Sequence, residues 1–255
     1  MGGGGYPAGM RVRSVLCVGG SDSGGGAGIQ GDLKTLADHR VYGCSVVTAV
    51  TAQNTHGISA LEAVSAAMVR AQLAAVFDDF TIHAVKTGML ANAAVVNAVC
   101  DVLEALPSQP PLVVDPVLLA TDGTSLLDTA GVEALGRLFR LATLATPNLA
   151  EHVALVFPPG LALLSKGGHA EGRVVEDRLI HGGCITVYHH RRVATKNTHG
   201  TGCTLASAVA ARLALGDDLE PACRRAVRYV SGLVLRSRDS VGGGNGPLLH
   251  GLRHR

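Results

Sequence analysis

The densest group of potentially reactive residues is Asn197-Thr198-His199-Gly200-Thr201-Gly202-Cys203-Thr204, which runs into an apolar segment beginning near Leu205. Glycines placed directly before a helix leave several backbone N–H groups pointing into one spot, and the helix dipole adds positive potential there. That is how an anion hole is built. A thiol in its first turn, here Cys203, is expected to have its pKa lowered by the same field. Taken alone, the string serves equally well as a glycine-rich turn with a buried cysteine.

A second cluster, Gly19-Gly20-Ser21-Asp22-Ser23-Gly24-Gly25-Gly26-Ala27-Gly28-Ile29-Gln30-Gly31-Asp32, completes neither a dinucleotide fingerprint nor a Walker A loop, because no Gly-Lys-Ser/Thr follows. Its place between an apolar run and a helical segment points to close approach of backbone to a ligand rather than to a linker. Gln53 and Asn54 end a third segment, with amides that could read the hydrogen-bonding edge of a heterocycle. Lys86-Thr87-Gly88-Met89 puts a polarizable side chain after another apolar run. Asp115-Pro116, Asn148-x-x-Glu151 and Lys166-Gly167-Gly168-His169 supply acids, an amide and a cation that could hold Mg²⁺ and phosphate, mostly through waters. Singly, each is as readily a helix cap, a turn or core packing.

The elements around these clusters give them a common address. Strands are expected at Ser14–Val18 (ended by Gly19-Gly20), Ser45–Thr51, Ala84–Thr87, Pro111–Asp115, Thr143–Thr146 and Leu161–Ser165, with a hairpin over Arg173–His190. Helices are expected at Gly28–His39, Ala66–Asp79, Asn92–Leu106, from an N-cap at Asp128 to about Arg140, Thr201–Leu215 and Leu219–Arg236. Strands alternating with helices imply a mostly parallel sheet covered on both faces, in which ligands bind at the carboxyl ends of the strands. The clusters follow expected strands and therefore converge on one edge of one sheet.

Composition narrows the function classes. The 255 residues suit one large α/β domain, read here as 14–255 behind a flexible leader over 1–13. Aromatic residues are only 3%, too few for a nucleic-acid stacking platform, and 22 Lys and Arg against 20 acidic residues give no polyanion-binding excess. The six cysteines form no CxxC pair, and no signal peptide or membrane-spanning run is found, so a reduced, cytoplasmic protein is expected.

Taken in order, Gly20–Asp32, Thr51-Ala-Gln-Asn54, Lys86-Thr-Gly-Met-Leu90, Val114-Asp-Pro-Val117, Thr146-Pro-Asn-Leu-x-Glu151, Lys166-Gly-Gly-His169 and Thr195-Lys-Asn-Thr-His-Gly-Thr-Gly-Cys203 resemble hydroxymethylpyrimidine/phosphomethylpyrimidine kinases of the ribokinase-like superfamily. The likeness runs from about Val15 to Gly246. It implies a three-layer α/β/α fold and ATP-dependent phosphorylation of 4-amino-5-hydroxymethyl-2-methylpyrimidine, then of its monophosphate, in thiamine biosynthesis. It also implies that Gly20, Asp32, Gln53 and Met89 line the pyrimidine pocket, and that Asp115, Lys166 and Thr198 face ATP. Asn148 and Glu151 would organise Mg²⁺, while Gly200, Thr201, Gly202 and Cys203 carry catalysis, Cys203 standing where the superfamily keeps its base. A homodimer is implied as well. The alternatives are a pyridoxal or pyridoxine kinase and a non-catalytic pyrimidine-binding protein.

Two departures stand out. The first loop reads Ser23-Gly24-Gly25-Gly26 where relatives carry Pro-Ser-Gly-Gly, so a floppier loop and weaker substrate binding are expected. Only 14 residues, 152–165, separate Glu151 from Lys166, where relatives have room for a further helix; nucleotide affinity is the property this bears on.

Overall fold

The computed structural model describes residues 12–120, 123–168, 172–237 and 241–251; most of the expected leader (1–11), and His169 of the lysine motif, lie outside them. In chain order the elements are β1 (Ser14–Asp22), α1 (Gly28–Asp38), β2 (Tyr42–Asn54), β3 (Gly57–Ala63), α2 (Ala66–Asp79), β4 (Ala84–Thr87), α3 (Ala93–Glu104), β5 (Leu112–Val114), α4 (Thr129–Leu141), β6 (Leu144–Ala145), α5 (Leu149–Ala154), β7 (Ala162–Ser165), β8 (Val174–His181), β9 (Cys184–Arg191), α6 (Thr201–Ala214) and α7 (Leu219–Arg236). The strands form one sheet ordered β3-β2-β1-β4-β5-β6-β7-β8-β9. Its centre is parallel, and β3, β8 and β9 pair antiparallel at the two margins.

Each face of the sheet carries its own core. Val15, Cys17, Val113 and Leu164 pack under α1, α6 and α7, whereas Leu16, Val18, Val85 and Val114 pack under α2, α3 and α4. Central strands buried on both faces read as continuous apolar runs, which is why Ser14–Val18 and Ala84–Val85 are legible in sequence. Helix starts follow from short polar side chains: Ser65, Asn92 and Asp128 each accept the N–H three residues on, from Met68, Val95 and Gly131.

Three expectations need correction. β1 does not end at Gly19-Gly20; it runs through both glycines to Asp22, with a register shift between them. β2 continues to Asn54 and turns back as β3, an edge strand whose exposed residues lack the apolar alternation that announces a half-buried strand. Asn148 starts a six-residue helix, α5, too short for a periodicity signal. Among the described residues α5 is the only helix between β6 and β7, so the shortened segment carries no further helix. Among the described residues no helix is long and apolar enough to cross a membrane.

Candidate active site

The chemistry-bearing segments meet at the carboxyl edge of the sheet, where α6 begins. Gly200 is its N-cap, held at φ 83°, and no side chain caps the helix. A side chain at Gly200 would clash with the carbonyl oxygen of Gly26, its first carbon lying 2.0 Å away, so only glycine lets the two loops touch. The first-turn amides of an uncapped helix have no intrahelical partners, which leaves the anion hole available.

Lys166 faces this hole. A carbon added to Gly202 would lie 3.3 Å from Lys166 Nζ and 3.5 Å from Asp115 Oδ2. Lys166 Nζ donates to Asp115 Oδ1 at 2.8 Å, and Thr146 Oγ1 donates to the same oxygen at 3.0 Å. Burial disfavours the ammonium, but the carboxylates of Asp115 and Glu151 outweigh it and hold Lys166 above its ordinary pKa. Burial raises the Glu151 carboxyl, with Lys166 acting against the rise and Asp115 reinforcing it. Asn148 and Glu151 form a capping box: Asn148 Oδ1 accepts the Glu151 N–H at 2.9 Å, and Glu151 Oε2 accepts the Asn148 N–H at 2.8 Å. The helix-cap reading of this pair is therefore realised, beside a lysine and a second carboxylate.

The first loop is pinned rather than loose. Asp22 Oδ1 accepts the Gly24 N–H at 2.8 Å, and Oδ2 accepts those of Gly26 at 3.1 Å and Ala27 at 2.9 Å. His199 Nε2 lies 2.8 Å from the same Oδ2, tying this loop to the one before α6. Burial alone would raise Asp22; the bond to His199 and the backbone donors outweigh it and lower its pKa. No local signal in the sequence joins these two residues, since 177 positions separate them.

Cys203 requires a correction. Its thiol is pushed up to about 11, not lowered, because burial outweighs the attraction of Lys86 and the N–H that Gly28 offers the sulfur, while Asp32 and Asp115 add repulsion. Asp32 also has a different setting from the one expected. It is fully buried and receives Lys86 Nζ at 2.9 and 2.8 Å on its two oxygens and Ser207 Oγ at 2.7 Å, which leaves it directed into the fold rather than toward a pyrimidine. Burial raises the Asp32 carboxyl and by itself would lower Lys86, yet the facing carboxylate keeps Lys86 raised; three donor contacts make the ion pair the form this geometry holds.

On the other flank, a carbon added to Gly20 would lie 2.8 Å from Met89 Sδ, so strand and methionine are in contact. Met89 is fixed through its carbonyl, which accepts Thr48 Oγ1 at 2.6 Å. Gln53 lines a cleft with Asn54, His56, Ala120, His199 and Asn245, and its Oε1 accepts Thr51 Oγ1 at 3.1 Å. Thr198 is exposed, and its carbonyl accepts the Thr201 N–H at the entry to α6. Gly200, Thr201, Gly202, Cys203, Lys166 and Asp115 thus come together; Gly20, Met89 and Gln53 lie on the side of the first loop, and Asp32 lies beneath.

The chain matches the phosphomethylpyrimidine kinase family in two parts, residues 22–159 and 160–249, the junction falling in the shortened segment. It is 42% identical over 257 aligned positions to the hydroxymethylpyrimidine/phosphomethylpyrimidine kinase of Rhizobium meliloti (strain 1021), covering 92% of this chain and 96% of that one. The crystal structure of phosphomethylpyrimidine kinase from Clostridium difficile 630 matches with a TM-score of 0.75 and 33% identity, covering 88% of this chain and 100% of that one. An ADP complex of Bacillus subtilis pyridoxal kinase matches with a TM-score of 0.83 and 27% identity, covering 94% and 98%.

Proposed function

The chain belongs to the phosphomethylpyrimidine kinase family, and on that premise we propose that it moves the γ-phosphoryl group of ATP to the hydroxymethyl oxygen of 4-amino-5-hydroxymethyl-2-methylpyrimidine, and then a second one to the monophosphate, for thiamine biosynthesis. The observation that carries the reading is the convergence of Lys166 Nζ, Asp115 and the uncapped start of α6 on Gly202.

In each transfer the acceptor oxygen forms a bond to the γ-phosphorus, the bond to the bridging oxygen breaks and ADP leaves; the hydroxymethyl acceptor of the first transfer also loses its proton, whereas the phosphate oxygen of the second is already ionised. Charge on the equatorial oxygens is what the protein must stabilise, and fixed N–H groups at a helix start do so without reorganising. Lys166 adds a positive charge on the nucleotide side. With its thiol near 11, Cys203 is protonated at neutral pH, so it acts as an S–H donor to the reacting oxygens rather than as a base, and the hydroxyl proton passes to an oxygen of the transferred phosphoryl group and from there to solvent. Gln53 and Met89 orient the pyrimidine, the one by its amide and the other by contact.

Magnesium fits the donor set. Asp115 and Glu151 place two carboxylates against the single charge of Lys166, a balance that favours a divalent cation. Among the described residues no three His, Cys, Asp or Glu side chains are grouped to hold an ion by themselves, and Asn148 and Glu151 are engaged in a cap; these residues would hold Mg²⁺ through waters and phosphate oxygens. Bound there, the ion would neutralise phosphate charge.

The likeness to pyridoxal kinase supports a second reading, in which pyridoxal is the acceptor. A pyrimidine-binding protein without turnover accords poorly with so complete an anion hole. A homodimer in the cytoplasm completes the proposal, and light scattering at twice the chain mass checks the first part of it. An ADP-release assay with hydroxymethylpyrimidine as acceptor tests the activity; release no faster than without acceptor would overturn it.

A further inference from the structure

The turn that carries Lys166 is held from the β8–β9 hairpin. The Gly167 N–H donates to Asp177 Oδ1 at 2.9 Å. A carbon added to Gly167 would lie 2.0 Å from the carbonyl oxygen of Glu176, so the turn's backbone rests directly on β8. The other carboxylate oxygen of Asp177 lies 3.2 Å from His190 Nε2 on β9. Just past β9, Arg192 Nη1 donates to the Gly168 carbonyl at 2.6 Å.

Asp177 is out of pattern for its strand. The inward positions of β8 are Val175 (5% exposed), Asp177 (6%) and Leu179 (2%), an apolar series interrupted by a carboxylate. Burying a charge there is costly unless it is paired and hydrogen-bonded, and an apolar residue would serve the sheet better. The contacts that offset the cost are the Gly167 amide and His190.

We propose that Asp177 is a positioning residue for Lys166. It fixes the Lys166-Gly167-Gly168 turn so that Lys166 Nζ stays 2.8 Å from Asp115 Oδ1 and against the start of α6, with His190 holding the carboxylate and Arg192 closing the far side. The proposal rests on the reading that Lys166 serves the phosphates of ATP.

Asp177→Ala and Asp177→Ser remove the acceptor, while Asp177→Asn keeps an oxygen for the Gly167 N–H. For Ala and Ser the expectation is a KM for ATP raised about tenfold or more and a lower kcat, with the KM for hydroxymethylpyrimidine nearly unchanged; Asn should recover most of the loss. In the wild-type protein the Gly167 amide should exchange slowly with solvent, and in folded Ala or Ser variants it should exchange fast. A folded Ala or Ser variant with wild-type KM for ATP overturns the proposal, and so does fast Gly167 exchange in wild type, a measurement that needs no variant to fold. Wild-type protein that consumes no ATP at all would instead count against the kinase reading, with Gly167 exchange still deciding whether Asp177 holds the turn.

Discussion

Lys86 and Asp32 form a salt bridge sealed from solvent, with Lys86 Nζ 2.9 and 2.8 Å from the two carboxylate oxygens. Ser207, one helical turn after Cys203 on α6, closes it by donating to Asp32 at 2.7 Å. Residues four apart share a helix face, so the pair lies beneath the thiol and sets its field from behind. The aspartate of the first glycine motif and the lysine of Lys86-Thr87-Gly88-Met89 are thus one structural unit spanning α1 and β4.

Removing one partner strands the other. Lys86→Met should destabilise the fold by about 3–5 kcal/mol, because an unpaired carboxylate stays buried, while Lys86→Met combined with Asp32→Leu should recover a large part. Urea unfolding of the three proteins checks this. Equal loss in the single and double variants would mean the pair is not an energetic unit.

Much of the site is legible in the sequence, and the gaps have physical causes. Gly200–Cys203 and Lys166-Gly167 announce themselves because glycine before a helix and lysine after a strand are local signals. Asp32 and Asp22 sit in the same motif, yet Asp32 turns inward to Lys86 while Asp22 organises the loop and meets His199; only the folded chain says which carboxylate faces which way. The field of a helix start is also local, whereas burial, which decides the Cys203 thiol, is a property of the whole fold. The edge strand β3 and the six-residue α5 lack the length or patterning that a sequence signal needs.

At pH 7.5 a thiol near 11 should react with iodoacetamide about 100-fold more slowly than an ordinary thiol, with the exposed Cys184 labelled first. Mass spectrometry of the labelled peptides reads the order directly. Because it removes an S–H donor from the reacting oxygens, Cys203→Ala should lower kcat by about 10²-fold or more and leave pyrimidine affinity intact. An unchanged kcat would remove the thiol from the mechanism.

The folded pKa of Asp22 is lowered below its unfolded value of about 3.9, so its pairing stabilises the protein above that pH. The contribution is lost as pH falls through the depressed folded value. Asp22→Asn should therefore cost stability at pH 7 and lessen the difference between pH 7 and pH 3. Urea midpoints at the two pH values test it; an acid limb as steep as in wild type would place the titrating group elsewhere.

Lys166→Ala should lower kcat by about 10²–10³-fold, the cost of one lost charge contact to the transferring group. Lys166→Arg should restore little, since a planar guanidinium does not fit a half-buried ammonium site packed against Asp115 and Gly202. Steady-state kinetics with both substrates varied separates this from a simple loss of ATP binding.

Gln53→Ala should raise the KM for the pyrimidine much more than that for ATP. A rise in the ATP value alone would exchange the two halves of the site.

The kinase activity is tested at its centre by mass spectrometry of the products formed with Mg-ATP from hydroxymethylpyrimidine, its monophosphate and pyridoxal, run side by side. The expected products are the monophosphate and then the pyrophosphate of the pyrimidine. Pyridoxal phosphate as the sole product, or no phosphorylated product from a protein that still binds the pyrimidine, would contradict that expectation.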